Sequence, residues 1–338
     1  TRCRVGGTLM KAFRFAVVMC IFIAPLLLSA QTTRLRLASV LPANSLWDRS
    51  LKEMASEWQK VTGGRIRAQV RTASGDEATL VRRMRMNNPQ VAALSPLGLQ
   101  EIDESFSVFG IPFLFASDEE ALHVLEALTP ELREALARRN LVLINWGHGG
   151  WAHIFSAEPI ETLADLRQAK MFTSSGDDGA VRWYKENGFQ PVPLALTDVL
   201  MGLNTGLINA YPSSPYAALA YQWYRQTSHM LDVPLAPLFG ATVMTERAWS
   251  RVSQTDRDAI LKTAKVAQDR LFSDVPEQDR EAVSEMERRG LTVSAVDEAM
   301  ASSFRNQAEG LTASWRGGMV PNEIYDAAAA AIREFRAQ

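Results

Sequence analysis

The chain has 338 residues, 47% of them hydrophobic and 22% charged, which is the balance of a globular protein and enough length for two domains. That composition excludes a disordered chain. A formal net charge of −2 gives no reason to expect a nucleic-acid partner.

Met10-Lys11-Ala12-Phe13-Arg14 is a short basic start, followed by an apolar run over 15–28 and the small residues Ser29-Ala30. This is the layout of a secretory signal peptide, and the run falls short of the ~20 apolar residues a membrane span needs. Residues 1–30 are read as a cleaved export signal with residues upstream of a better start at Met10, which sends the protein to the periplasm. Cleavage after Ala30 leaves 32 basic against 38 acidic residues, a net charge of −6, and removes Cys3 and Cys20, the only cysteines. The mature chain then has no thiol and no cysteine metal site, which suits an oxidising compartment.

Leu35 and Leu37 alternate with Arg34 and Arg36, a strand signal that Pro42-Ala43-Asn44-Ser45 ends. Residues 48–60 read as a helix with Leu51, Met54, Ala55 and Trp58 on one face. Gly63-Gly64 stops it, and Ile66, Ala68 and Val70 form a second alternating strand. A helix over 77–86 and a buried strand over 91–94 complete a strand–helix–strand–helix–strand order, which favours a parallel sheet flanked by helices.

Residues 119–128 and 130–139 read as two helices, and 141–146 as a strand ending in the cluster Gly147-His148-Gly149-Gly150, which allows a sharp crossing or hinge. Extended 191–194, a helix over 198–203 and a strand over 207–210 follow, ending in Tyr211-Pro212-Ser213-Ser214-Pro215. The earlier strand also runs into Ser95-Pro96, so two similar domains facing one another are expected. Residues 242–244 read as a strand returning to the first domain. The stretch 253–289 is helical, divided at Pro276, and 322–335 is a last helix. No linker of Gly and Ser separates modules. The expected fold is therefore α/β: two interleaved α/β domains with a ligand cleft and a long connecting helix. Domain I takes 31–148 and 236–276, and domain II takes 149–235 and 277–338.

Catalytic and cofactor motifs are missing: there is no G-x-S-x-G, H-E-x-x-H, P-loop or complete G-x-G-x-x-G. His148 and His153 flank a glycine pair without a third metal ligand nearby. Asp177-Asp178 reads as a turn before a helix, where carboxylates are favoured. No enzyme, metal or cofactor is expected; the one nucleophile–base pair that can be assembled is His148 with Ser174 or Ser213. Trp183 and Trp223 lie in helical patterns and read as core. Trp146, Trp151, Phe172 and Tyr211 lie at strand ends or beside glycine and proline, where open α/β sheets present ligand loops, so cleft lining and core packing are both open for them. The candidate ligand-binding set is Asn44, Trp47, Ser95, Trp146, His148, Trp151, Phe172, Ser174, Tyr211, Ser213, Ser214 and Phe239.

From Leu35 to about Val293 the chain resembles the DctP-type solute-binding proteins of tripartite ATP-independent periplasmic (TRAP) transporters. The resemblance rests on Pro42-Ala43-Asn44-Ser45, the turn Val61-Thr62-Gly63-Gly64-Arg65-Ile66, the run Ile111-Pro112-Phe113-Leu114-Phe115 into Ala116-Ser117-Asp118-Glu119-Glu120-Ala121, Leu163-Ala164-Asp165-Leu166-Arg167, and the segment 200–210. It implies two α/β domains closing over a small-molecule ligand, with TRAP membrane permease subunits as partners. It also implies an arginine gripping a ligand carboxylate; here Phe172 stands at that place, and Ala152 where some acidic-sugar receptors carry a second arginine. The ligand is therefore expected to be weakly charged or apolar, with Arg182 as an alternative carboxylate grip. The missing arginine would suit the family subgroup that works beside a tetratricopeptide-repeat partner protein.

Overall fold

The computed structural model describes residues 32–338 apart from 74, 297–300, 303, 307–308 and 310–313. The expected export segment, with Cys3 and Cys20, lies outside the described residues.

The opening half follows the expected order: β1 (Thr33–Ser39), α1 (Leu46–Val61), β2 (Ile66–Thr72), α2 (Glu77–Arg85) and β3 (Val91–Leu94). Short side-chain caps start each helix. Ser45 Oγ accepts from Asp48 N at 3.2 Å, and Asp76 Oδ1 from Thr79 N at 2.8 Å. Gly63 and Gly64, at φ +57 and +79, end α1 in the left-handed region. The helices serve as crossovers, so β1 pairs parallel with both β2 and β3.

The chain continues through α3 (Pro96–Gln100), a 3-10 turn over Glu104–Gly110, α4 (Asp118–Arg138) and β4 (Leu141–Trp151). A second set follows: β5 (His153–Ser156), α5 (Leu163–Gln168), β6 (Lys170–Ser174), α6 (Asp178–Glu186), β7 (Gln190–Leu194), α7 (Val199–Asn204), β8 (Ala210–Ser213), α8 (Pro215–Ala220) and β9 (His229–Asp232). Then come β10 (Pro237–Thr245), α9 (Glu246–Trp249), α10 (Gln254–Arg288), β11 (Thr292–Ala295) and α11 (Asn322–Arg336).

Two sheets result, ordered β2-β1-β3-β10-β4 and β11-β9-β5-β8-β6-β7. β10 returns to the first sheet as expected, but it is longer than the segment 242–244 and pairs antiparallel with β3 and β4. The first sheet is buried on both faces. Leu37, Val91 and Met244 pack with Trp58 and Ile260, while their strand neighbours Ala38, Ala92 and Val243 pack on the other face with Leu125 and Leu132.

Five sequence expectations need correction. Residues 119–139 form one helix through Pro130, and α10 runs unbroken through Pro276. Proline removes one helical hydrogen bond, yet α10 packs against β4, α1 and α8, and that tertiary packing outweighs the local loss. The glycine cluster does not end β4, which continues to Trp151, and the strand expected over 207–210 is β8, three residues later. Finally, α11 was expected with the second domain but packs on α4 and the 3-10 turn of the first. Its apolar stripe, Ile324, Ala328, Ala331 and Ile332, joins the first domain's core, and Arg336 forks onto Glu120 at 2.8 and 2.9 Å.

Candidate functional site

A cavity of about 340 Å³ lies between the two sheets, within the usual size range for small-molecule sites. The first sheet contributes α1 and the β3–α3 junction. The second contributes β6, the start of α6, the end of β8 and the segment after α8.

β4 supplies the floor. Asn145, Gly147 and Gly149 line the cavity from one face of the strand, His148 also reaches the lining, and Trp146 points into the first core. Gly147 pairs with Gly240 of β10, and both line the cavity without side chains. A Cβ on Gly240 would stand 2.5 Å from the Leu94 carbonyl oxygen, so this close strand pairing requires glycine.

Aromatic rings form one wall. Trp223 stacks on Tyr221 with centroids 4.7 Å apart at 15°, and Phe172 lies 6.5 Å from it. Trp47 comes from α1, where its Nε1 donates to the His148 carbonyl at 2.9 Å and its ring meets Tyr216 edge-on at 5.1 Å. Tyr184 and Trp315 line the opposite part. Burial, and then the charge of Asp177, push the Tyr184 hydroxyl up to about 12, so it stays neutral.

Polar groups are few. Asn145 Oδ1, Thr173 Oγ1, Trp315 Nε1 and both His148 ring nitrogens are buried without a hydrogen-bond partner. All four residues line the cavity. Such groups are rare in native interiors and mark places where a bound molecule can complete the hydrogen bonding. Burial lowers the His148 pKa, opposed by Asp118, whose Oδ1 is 3.8 Å from Nε2. His148 is thus neutral at pH 7 and stacks on Phe272. Neither Ser174 nor Ser213 bonds to it, and Ser213 Oγ donates to the Ser214 carbonyl instead. No nucleophile–base pair is formed.

Among the described residues the lining holds no lysine, arginine or glutamate, and its one formal charge is Asp177. Arg182 is exposed on α6 and does not line the cavity.

Ser95 is held by Glu77. The buried Glu77 carboxylate accepts from Ser95 N at 2.8 Å, from Gly98 N at 3.1 Å and from the Ser95 hydroxyl. Burial raises its pKa against the pull of these bonds. Glu77→Ala is expected to cost about 2 kcal/mol in urea unfolding, because the start of α3 loses its acceptor.

Of the candidate residues, the structure brings Trp47, Ser95, His148, Phe172, Ser174, Ser213 and Ser214 to the cavity. It does not bring Asn44, Trp146, Trp151, Tyr211 or Phe239 there. Asn44 is exposed and takes φ +63 in the turn before α1. Trp146 is buried, with Nε1 donating to Thr129 Oγ1 at 3.1 Å, and Trp151 Nε1 donates to Asp118. Tyr211 is fully buried within β8 and stacks on Phe155 at 5.3 Å, because the strand runs past it instead of ending before it. Phe239 packs between Phe109 and Phe272. Trp223, expected in the core of a helix, follows Gln222 at φ +60 and lines the cavity. Asn145, Thr173 and Trp315 were missed; the alternation within β4 could have found Asn145.

The sequence pattern of the bacterial extracellular solute-binding proteins, family 7 (DctP), matches residues 37–316. The sialic acid-binding periplasmic protein SiaP of Vibrio cholerae is 21% identical over 61% of this chain and 68% of its own length. The fold is shared with DctP7, a Bordetella pertussis extracytoplasmic solute receptor binding pyroglutamic acid, at TM-score 0.81 and 19% identity over 89% of this chain and all of that one. It is also shared with the sugar acid binding protein DctPAm of Advenella mimigardefordensis in complex with galactonate, at TM-score 0.84 and 16% identity over 90% and 99% of the two chains. All three are named as binding proteins or receptors. With that pattern spanning most of its length, the chain belongs to the bacterial extracellular solute-binding proteins of family 7.

Proposed function

We propose that the protein is the extracytoplasmic receptor of a TRAP-type secondary transporter and captures a small, weakly charged or apolar solute by closure of its two lobes. The observation that carries the ligand class is the aromatic-walled cavity whose described lining contains no lysine or arginine. An organic acid bound there would bury its carboxylate without a counter-ion, a desolvation cost of several kcal/mol. The relatives named for sialic acid, pyroglutamic acid and galactonate take acids. This chain has Phe172 in the wall and keeps Arg182 outside.

Contacts from both lobes make ligand affinity greater in the closed arrangement, so ligand shifts the population toward it. That closed form would be read by the membrane permease subunits. Native mass spectrometry of the exported protein, with tryptophan fluorescence titrations of pyroglutamate and galactonate, tests the reading. A co-purifying molecule that carries no carboxylate, and no saturable response to either acid, are expected. A stoichiometrically bound organic acid would overturn the ligand class.

A further inference from the structure

Beside the main cavity lies a side pocket of about 20 Å³ lined by Asp76, Glu77 and Glu101 from the first lobe and Ser174 to Gly176 from the second. Leu97, Ser174 and Leu196 line both spaces, so the two adjoin. The volume exceeds the 10–15 Å³ that one water-sized group requires. Asp177, on the main-cavity side, accepts from Ala180 N at 2.8 Å. Glu101 reaches across the lobes: a Cβ on Gly176 would overlap its carboxylate.

The carboxylates of Asp76 and Asp177 both act on Glu101 through their charge, and none of the three has a salt-bridge partner among the described residues. Glu101 and Asp177 make no ion pair; Arg82 and Arg85 on α2 act on Glu101 only through their field. Burial comes first in raising the pKa of both; the charges of Asp76 and Asp177 add to it at Glu101, whereas at Asp177 the added charge is that of Asp178, opposed by the Ala180 hydrogen bond. Among the described residues no group of three or more side chains is arranged to hold a metal ion. Acidity alone would not define a site. Here it adjoins the aromatic cavity, whose lining includes Thr173, a residue 7% exposed with a buried, unpartnered hydroxyl next to Ser174.

We infer that the solute is an amphiphilic amine whose protonated primary ammonium sits between Glu101 and Asp177 while its apolar body lies against Phe172, Tyr221 and Trp223. This deepens the proposed function and rests on its reading of the cavity as apolar. An ammonium offers three donors and a charge that relieves the carboxylate repulsion, and the rings favour a cation near their faces.

The test is calorimetric titration with three probes of one body: 2-phenylethylamine, 2-phenylethanol and phenylacetate. The amine is expected to bind at least ~10-fold more tightly than the alcohol, with the acid weakest, in line with a charge-assisted hydrogen bond. Glu101→Gln and Asp177→Asn should each remove most of that advantage, read as the ratio of amine to alcohol affinity. Both substitutions relieve like-charge repulsion, so the variants fold, and a raised melting temperature confirms it. An alcohol that binds as well as the amine overturns the head-group assignment alone. An amine preference that survives both substitutions overturns its location. Binding of phenylacetate above the others, or of none of the three, overturns the apolar-cavity reading as well.

Discussion

Replacing Asp279 with asparagine is expected to stabilise the protein progressively as pH rises. Asp279 sits on α10, accepts from Tyr216 N at 2.9 Å and is pushed from an ordinary 3.8 up to about 7, mainly by burial and further by the charge of Asp118. Its folded-state pKa is raised, so between pH ~4 and ~7 the folded protein holds a proton that the unfolded chain has released. The associated stability is fully present below the unfolded pKa and is lost as pH climbs through 7. Asparagine keeps the acceptor for Tyr216 but cannot ionise. The stability difference between Asp279→Asn and the parent should therefore grow by on the order of 3 kcal/mol from pH 4 to pH 8. Urea unfolding at both pH values measures it. Carboxylates with lowered pKa, such as Asp256 beside Arg65, act the opposite way but equally in both proteins, and cancel. A difference independent of pH would show that Asp279 is not buried as described.

The second large effect is at Gly150, which touches the same carboxylate. Gly150 has φ +86, and an added Cβ would overlap the Asp279 carboxylate and stand 2.9 Å from Ser214 Cβ. Gly150→Ala combines left-handed strain with overpacking, and about 3 kcal/mol of lost stability is expected. Shortening the opposing side chain separates the two causes. In a double-mutant cycle with Asp279→Ala, the carboxylate overlap is removed while the Ser214 contact and the backbone strain remain, so the loss at Gly150 should fall by roughly half. Strict additivity would place the whole cost in the backbone and the Ser214 contact.

The fold was legible where periodicity was local. Leu35 and Leu37 against Arg34 and Arg36 marked β1, and the spacing of Leu51, Met54, Ala55 and Trp58 marked the buried face of α1. What misled was punctuation. Pro130 and Pro276 looked like helix ends, but both helices are held through proline by packing against distant elements. The glycines after Trp146 looked like a strand end; they are strand residues whose missing side chains open the cavity floor. Ending β4 there moved Trp146, and placing β8 three residues early moved Tyr211, from strand core positions to imagined tips. Trp223 shows the converse: a helix-like pattern concealed a left-handed residue at Gln222 that turns the ring inward. Thr173 and Trp315 carry no sequence signal, because their lack of partners is a property of the assembled interior.

The passage between the two sheets is very short. A single residue, Ala152, separates β4 from β5, and the returning strand is bonded to it: Ala152 N donates to the Ala236 carbonyl at 2.9 Å, and Leu235 N to that of Ala152 at 2.8 Å. Sliding one sheet past the other would break those bonds, so any relative movement of the sheets is expected to be a tilt about this line. Amide exchange at Ala152 and Leu235 should then remain slow whether the solute is present or absent, while the rims of the jaws respond to it.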